Sequence, residues 1–148
     1  MYYSQGFTLI ELMVSIVIIA ILGGIGIPAY QSYIQKAALT DMLQTSAPYR
    51  MAVEVCSMEH SALLGCNAGS QGIPSGQPTR YVKAINIAKG VISMTGQETL
   101  DGLSVVLTPT KSAAGNLAWT RACTGNHDEL SKLCKSVFAL KETSSDDE

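Results

Sequence analysis

The stretch FTLIELMVSIVIIAILGGIGIPA, residues 7–29, decides the fold of this 148-residue chain. We call it the apolar segment. A helix of about 20 apolar residues is long enough to cross the hydrocarbon core of a membrane. From residue 1 to residue 35 the only formally charged side chain is Glu11. The sequence therefore predicts an apolar helix, residues 7–35, followed by a polar head, residues 36–148.

The composition of the whole chain suits one small globular domain plus this helix. It is 47% hydrophobic and has a formal net charge of −2, and its ten lysine and arginine residues are scattered. Nucleic acid is therefore not attracted by bulk charge. Arg80, Lys83 and Lys89 could still form a basic patch for DNA or adhesion, although a solvated strand face is the simpler interpretation.

Four cysteines lie in the predicted head: Cys56, Cys66, Cys123 and Cys134. In an exported protein they predict two disulfides, for which three pairings exist. We favour the two consecutive pairings, Cys56–Cys66 and Cys123–Cys134, because each closes a short polar loop that contains turn-forming residues.

A zinc site built from Cys56, His60, Cys66 and His127 is the alternative use of these side chains. Exported cysteines pair with each other far more often than they bind metal, so disulfides are the expected outcome. Candidates for a nucleophile with an adjacent base are few, Cys56 and His60 being four residues apart, and no glycine-rich phosphate loop or facing pair of carboxylates appears. We therefore expect no catalytic residue, cofactor or metal; an enzyme anchored by the apolar helix is the alternative, and its head would need a polar cleft.

The order of features at the N-terminus is unusual for an exported protein. An ordinary secretory signal has its small-residue cleavage site after the apolar run. Here Gly6 precedes the run, so cleavage there would leave the apolar segment on the mature protein. The motif GFTLIE, residues 6–11, resembles the processing site of type IV prepilins and of the related secretion pseudopilins. The resemblance implies removal of residues 1–6 by a prepilin peptidase, and methylation of the new amino group on Phe7. The leader MYYSQG departs from the family in having no Lys or Arg.

Glu11 is a carboxylate within an apolar segment, where such groups are costly and usually have a partner. No Lys, Arg or His lies in the same segment, so the expected cation is the amino group of a mature Phe7, offered by a neighbouring subunit. The family resemblance implies the same role for Glu11 and Phe7 in subunit assembly. A protonated carboxyl tolerated near the membrane surface is the alternative.

Glycine and proline weaken the helix near the end of the apolar segment. Each glycine costs about 0.8–1 kcal/mol and proline about 3 kcal/mol relative to alanine in a helix interior. The residues concerned are Gly23, Gly24, Gly26 and Pro28. Two interpretations stand together: close helix packing with a tolerated kink, and local melting when the subunit leaves lipid for a filament.

Beyond Pro28 the pattern predicts a helix that continues to about residue 58 and is kinked at Pro48. Its apolar stripe packs on a sheet and consists of Leu39, Met42, Leu43, Tyr49, Val53 and Cys56. A glycine- and proline-rich loop follows at residues 61–79. Strands are predicted at residues 80–88, 90–95, 103–108 and 117–122. They are separated by a turn at Lys89-Gly90, a loop at 96–102 and a loop at 109–116.

The short connections between these strands predict an antiparallel meander, and helix before sheet predicts an α+β head. Residues 123–134 are expected to form a disulfide-closed surface loop. Residues 142–148 are expected to be a solvated acidic tail.

The chain as a whole is similar to major pilins of the type IVa family from enterobacteria. The matching stretches are KAALTDMLQT (36–45), RYV (80–82), AKGV (88–91), TGQE (95–98) and GLSVV (102–106). The resemblance implies the pilin fold and a subunit that polymerises with itself into a type IV pilus for adhesion, motility or DNA uptake. It also implies a location in the inner membrane before assembly, surrounded by lipid, and afterwards in an extracellular pilus.

The partners implied are the prepilin peptidase, an assembly ATPase and platform protein, minor pilins and an outer-membrane secretin. A type II secretion pseudopilin is the alternative. The major pseudopilins hold calcium in a C-terminal loop, whereas Asp128, Glu129 and the terminal acids here lack a spaced pattern of oxygen ligands.

Overall fold

A computed structural model of the chain describes residues 6–142. The elements in chain order are α1 (Leu9–His60), β1 (Val82–Ala88), β2 (Val91–Gly96), a 3₁₀ helix (Glu98–Leu100), β3 (Ser104–Lys111), β4 (Leu117–Thr124), α2 (Asp128–Val137) and β5 (Lys141–Glu142). The chain divides into two compact units, Met1–Ile34 and Gln35–Glu148. This division falls next to the predicted boundary at residues 35 and 36. Residues 1–5 of the predicted leader and residues 143–148 of the predicted tail lie outside the described part.

The first unit is helical from Leu9 onward, and α1 continues without interruption through Gly23 and Pro28. It contains an 18-residue window with a mean hydropathy of 2.5, none of which is buried. All the large aliphatic and aromatic side chains from Phe7 to Tyr33 are exposed. Nothing within residues 6–142 covers the apolar segment, which is long and apolar enough to cross a membrane.

In the second unit one face of α1 is buried. The buried residues recur every three or four positions and are Ala38, Leu39, Met42, Ser46, Tyr49, Val53, Cys56 and Ser57. Five of the six side chains in the predicted apolar stripe are among them, and Leu43 is partly buried against the same core. The prediction of an amphipathic helix in this half of α1 is therefore confirmed.

The sheet has the order β1-β2-β3-β4-β5. The first four strands form the predicted antiparallel meander, whereas β5 pairs parallel to β4 and was not predicted. Two buried cross-strand rows share one core with the buried face of α1; they are Ile87–Ile92–Leu107 and Ile85–Met94–Val105. The hydrophobic core of the head therefore lies between α1 and the sheet.

The turn between β1 and β2 lies where the sequence places it. Lys89 and Gly90 both have positive φ, of 52° and 79°. Two such residues between paired strands form the tight turn that matches the twist of an antiparallel hairpin.

The predicted loop at 109–116 begins too early, because its first residue, Pro109, belongs to a strand. Pro109 lies inside β3 and pairs with Trp119 of β4. The pairing of β2 with β3 ends at Ile92 and Leu107, so Pro109 lies beyond it, where a missing backbone donor costs no bond to β2. The loop is therefore confined to residues 112–116. The predicted first strand is also too long at its start, because β1 begins at Val82 rather than at residue 80.

The predicted surface loop at 123–134 is wrong, because α2 begins within it at Asp128. The signal was present in the sequence as an apolar stripe of Leu130, Leu133, Cys134 and Val137. Acidic residues in the first turn of α2 and Lys135 in its last turn favour the helix further. The helix was not predicted because the short segment between two cysteines was interpreted as a disulfide-closed loop.

Arg121 of β4 joins the end of α2 to the sheet. Its side chain is 9% exposed. It donates from Nε to the carbonyl of Phe138, the C-cap residue, and from a terminal nitrogen to the carbonyl of Lys135 at 3.2 Å. These charged donors satisfy carbonyl groups that a helix end leaves without an intrahelical partner.

The loop at 61–79 lies along the outer edge of β1. The amide of Ala68 donates to the carbonyl of Ile87 at 3.0 Å, and the amide of Gln77 donates to the hydroxyl of Tyr49 at 3.2 Å. A Cβ placed on Gly76 would lie 1.9 Å from the carbonyl oxygen of Ile85. The loop thus occupies the edge of β1, which would otherwise be open to pairing with other chains.

We expect Gly76→Ala to destabilise the head by about 1–3 kcal/mol, because the methyl group forces the loop away from β1. The measurement is urea unfolding of the full-length protein in detergent, followed by the fluorescence of Trp119, the single tryptophan. Gly65→Ala is the matched control, since that glycine is in the same loop, has open space around it and has no positive φ. Equal midpoints for the two variants would contradict the close packing at Gly76.

Candidate processing and assembly site

Gly6 and Phe7 precede the first residue of α1 and are both exposed. Phe7 is 82% exposed, and no atom lies within 4 Å of a Cβ placed on Gly6. The peptide bond between them is therefore accessible and outside regular structure, as a proteolytic site requires. Cleavage there would create a new amino group on Phe7, two residues before α1 begins.

Glu11 and Thr8 form a hydrogen-bonded pair at the start of α1. The carboxylate oxygen Oε2 of Glu11 accepts from the backbone amide of Thr8 at 2.9 Å and from its hydroxyl at 2.7 Å. A threonine before the first helical residue, followed three positions later by a glutamate that bonds back to its amide, is the arrangement of a capping box. Thr8 is the residue that our sequence reasoning missed, although the T-x-x-E pattern marks it.

The capping box fixes the direction of the Glu11 carboxylate. Glu11 also lines a shallow depression of about 400 Å³ together with Phe7, Ile10, Val14 and Ser15. Both bonds from Thr8 end on one carboxylate oxygen, so Oε1 is not used by either of them. The site offers a negatively charged acceptor in apolar surroundings, which suits an amino group.

The segment predicted to melt is helical in this structure. Gly23, Gly24, Gly26 and Pro28 all lie within α1. A Cβ on any of the three glycines would meet nothing within 4 Å, so no neighbouring group in the described chain requires them. Contacts within the described chain therefore do not explain why glycine occupies these three positions. Melting of this segment in a filament stays a prediction.

The four cysteines form two disulfides in the favoured pairing. Cys56 of α1 is joined to Cys66 in the loop, and Cys123 of β4 to Cys134 of α2. The first disulfide removes two of the four side chains of the alternative zinc site. Among residues 6–142 no cluster of three or more His, Cys, Asp or Glu side chains could hold a metal ion.

The basic side chains near β1 do not form a compact patch. Only Lys83 lies on the strand, since Arg80 precedes it and Lys89 is in the following turn. The two lysines are six positions apart along the chain, which corresponds to roughly 20 Å at about 3.3 Å per residue of extended strand. The guanidinium of Arg80 lies over the ring of Tyr81, 5.3 Å from its centre.

Comparisons with known proteins agree with this geometry. Residues 1–27, which include Gly6, Phe7 and Glu11, match the model of the prokaryotic N-terminal methylation motif. The chain is 61% identical over 137 residues to prepilin peptidase-dependent protein D of Escherichia coli K12, a match covering 91% of this chain and 94% of that protein. It is 30% identical over 132 residues to the type IV major fimbrial protein FimA of Dichelobacter nodosus, covering 82% and 85% of the two chains.

A solved structure shares the fold. The solution NMR structure of the major type IV pilin PpdD from enterohemorrhagic Escherichia coli matches with a TM-score of 0.66 and 49% identity. The match covers 78% of this chain and 94% of that chain. The predicted α+β architecture, a long N-terminal helix with a small antiparallel sheet, is confirmed.

We expect Thr8→Val to loosen the first turn of α1, because valine keeps the shape of threonine and the backbone donor to Glu11 but loses the bond from the hydroxyl. The Leu12 amide, which donates to the Thr8 carbonyl, should exchange its hydrogen about two- to tenfold faster in NMR of the full-length protein in micelles. Thr8→Ser keeps the hydroxyl and should exchange at the wild-type rate. Equal exchange in both variants would show that the hydroxyl does not support the helix start.

Proposed function

This chain belongs to the type IV pilin family, and we propose that it is the major structural subunit of a type IV pilus, polymerised through the apolar segment of α1. Members of this family are structural subunits that polymerise with themselves, and they are not enzymes.

The observation that supports assembly most strongly is the uncovered apolar segment. From Phe7 to Ile27 every large apolar side chain is exposed, and an 18-residue window has a mean hydropathy of 2.5. Such a surface is covered either by lipid or by other subunits, since water is an unfavourable environment for it. We therefore place the subunit first in the inner membrane and then in an extracellular pilus.

Processing precedes assembly in this proposal. The prepilin peptidase cuts between Gly6 and Phe7, where the chain is exposed and not yet helical. Methylation of the Phe7 amino group follows, and the mature subunit then engages an assembly platform and its ATPase. Minor pilins and an outer-membrane secretin complete the set of partners.

Glu11 then guides each subunit into register. The capping box holds the carboxylate at the start of α1, beside apolar side chains. A charge in apolar surroundings is stabilised by an opposite charge, and the Phe7 amino group of a neighbouring subunit supplies it. Pairing of the two groups neutralises both in the filament interior.

The segment with Gly23, Gly24, Gly26 and Pro28 is proposed to give the filament its extensibility. No side chain of the described chain packs against these glycines, and proline lacks one helical donor. Local melting there would lengthen the subunit by replacing 1.5 Å of rise per residue with roughly 3.3 Å.

A major pilin rather than a secretion pseudopilin is favoured by the C-terminal region. Asp128 and Glu129 are in the first turn of α2, where they complement the helix dipole rather than surround a cation. The Cys123–Cys134 disulfide closes the region instead. The matched solved structure is described as a major type IV pilin. Adhesion, motility and DNA uptake all remain compatible with such a filament.

Mass spectrometry of filaments sheared from cells tests the proposal directly. We expect the N-terminal tryptic peptide to start at Phe7 carrying one methyl group and to end at Lys36, the first basic residue. Non-reducing digestion should recover the linked Cys56–Cys66 and Cys123–Cys134 peptides. Retention of residue 1 together with absence of filaments would favour a subunit that acts in the membrane or in secretion.

We expect Glu11→Ala to leave a stable membrane protein but to lower the yield of sheared filaments by about tenfold or more, because the Phe7 amino group loses its partner. Glu11→Gln is the informative control: it keeps a carbonyl acceptor for Thr8 but has no charge. If the charge drives assembly, both variants fail alike. A wild-type yield from Glu11→Gln would assign the role to helix capping alone.

A further inference from the structure

Two exposed tyrosines follow the apolar segment on α1. Tyr30 is 66% exposed and Tyr33 is 73% exposed. Among residues 6–142 neither hydroxyl has a hydrogen-bond partner. Tyr49, further along the same helix, is by contrast 7% exposed, and its hydroxyl accepts from the amide of Gln77. Packing within the chain thus accounts for Tyr49 and leaves the rings of Tyr30 and Tyr33 largely uncovered.

The chemistry of these two side chains suits the boundary of a membrane. A tyrosine has an apolar ring and a polar tip, and it is enriched where the hydrocarbon of a bilayer meets the headgroups. The sequence changes character at this point: residues 12–29 are uncharged and largely apolar, whereas Gln31, Ser32 and Lys36 follow. Residues three apart lie on the same side of a helix, so the two rings form one patch.

The length of α1 before the tyrosines matches the thickness of a membrane. The helix begins at Leu9, 21 positions before Tyr30, and this stretch is roughly 32 Å long at about 1.5 Å per residue. The hydrocarbon core of a typical bilayer is about 30 Å thick. With Tyr30 at one boundary of the core, Glu11 therefore lies near the other boundary rather than at the centre. A carboxylate costs most at the centre, so this depth suits the one charge of the segment.

The helix itself does not fix this depth. The part of α1 in the first unit runs from Leu9 to Ile34, which is roughly 39 Å at about 1.5 Å per residue and longer than the core. No charged residue lies between Glu11 and Lys36 to stop the helix from sliding. A hydrophobic stretch longer than the bilayer tilts or shifts, and interfacial side chains decide its position.

We propose that Tyr30 and Tyr33 form an interfacial anchor, which binds the phospholipid headgroup boundary on the head side of the membrane and fixes the depth of the subunit before assembly. The anchor holds Glu11 and the Gly6–Phe7 bond at the opposite boundary, where a peptidase reaches the bond. The inference rests on the proposed location in the inner membrane and adds to it the residues that set the depth.

Lipid rather than a second subunit is the partner that these observations favour. The two rings continue the uncovered surface of the apolar segment, which is long and apolar enough to span a membrane. Packing between helices requires apolar shape alone. It does not require a polar tip on both side chains, nor their separation from the start of α1 by one thickness of hydrocarbon.

The depth of the full-length chain in a bilayer tests the proposal. The protein is placed in nanodiscs of phosphatidylethanolamine and phosphatidylglycerol, and a water-soluble gadolinium chelate broadens the NMR signals of amides outside the hydrocarbon. In the wild type we expect protected amides from near Glu11 to near Tyr30.

We expect the double variant Tyr30→Leu with Tyr33→Leu to shift both boundaries by about one helical turn, roughly 5 Å, toward Lys36 at one end and toward Ser15 at the other. Leucine keeps an apolar body but has no polar tip to hold at the headgroups, so the apolar surface then continues to Ile34. A boundary that stays in place at either end would overturn the anchor.

Two control variants separate the anchor from a general effect of substitution. Tyr30→Trp with Tyr33→Trp keeps an aromatic ring with a polar tip at both positions and should keep the wild-type boundaries. Ile25→Leu with Ile27→Leu changes two exposed residues inside the apolar segment and should also leave them unmoved. Unchanged amide signals of the head and formation of both disulfides show that each head is folded.

The outcomes distinguish the anchor from the proposed function. If no amide of the wild-type apolar segment is protected, the proposed membrane location fails, and the anchor fails with it. If the segment is protected but the leucine variant keeps the wild-type boundaries, only the anchor is wrong. The anchor is equally wrong if that variant keeps its boundaries and yields fewer sheared filaments, because the tyrosines then serve contacts between subunits.

Discussion

The constraint on which the rest of this molecule depends is an apolar helical surface that its own chain does not cover. Fourteen large apolar side chains from Phe7 to Ile27 are exposed. Covering one such side chain fully is worth about 1.5–3 kcal/mol, so the set amounts to tens of kcal/mol. That total exceeds the stability of an ordinary domain, which is about 5–15 kcal/mol. A free monomer in water is therefore not a stable end state, and lipid and other subunits are the two available covers.

The head has the opposite property, because most of its apolar side chains are buried or partly buried within the chain. The buried face of α1 and two cross-strand rows of the sheet share one core. Specific polar contacts join the layers: Trp119 of β4 donates to Glu54 of α1 at 2.8 Å. Disulfides fasten the loop to α1 and α2 to β4. If the subunit assembles through its apolar segment, the head has to be stable by itself, since lipid does not bury the apolar groups of the head.

Sequence reasoning succeeded where a single physical signal acted alone. The apolar segment, the amphipathic half of α1 and the Lys89–Gly90 turn follow from periodicity and turn chemistry. It failed where tertiary context overrode a local rule. The sequence pattern around Pro109 predicts a loop. In the structure Pro109 lies in β3 beyond the last residue that pairs with β2, so its lack of a backbone N–H costs no hydrogen bond to β2.

Other errors arose from weighing one signal above another. The two cysteines at 123 and 134 indicated a closed loop and concealed the stripe of α2. The capping function of Thr8 was visible in T-x-x-E but was overlooked because Glu11 was considered only as an ion-pair partner. The β5 strand has two residues and no periodicity that a sequence pattern could reveal.

The two prolines of α1 show how environment decides the fate of a weak helical position. Pro48 has Ser46 and Tyr49 as neighbours, both buried in the core, so tertiary packing holds the helix on either side of it. Pro28 has exposed neighbours, and a Cβ placed on any of the three glycines before it would meet nothing within 4 Å. Three glycines and one proline cost about 5–6 kcal/mol relative to alanine. In lipid the helix persists there because unpaired backbone groups find no water. We propose that this restraint is lost once lipid is replaced by polar or hydrated surroundings, so that α1 melts at this segment rather than in the head.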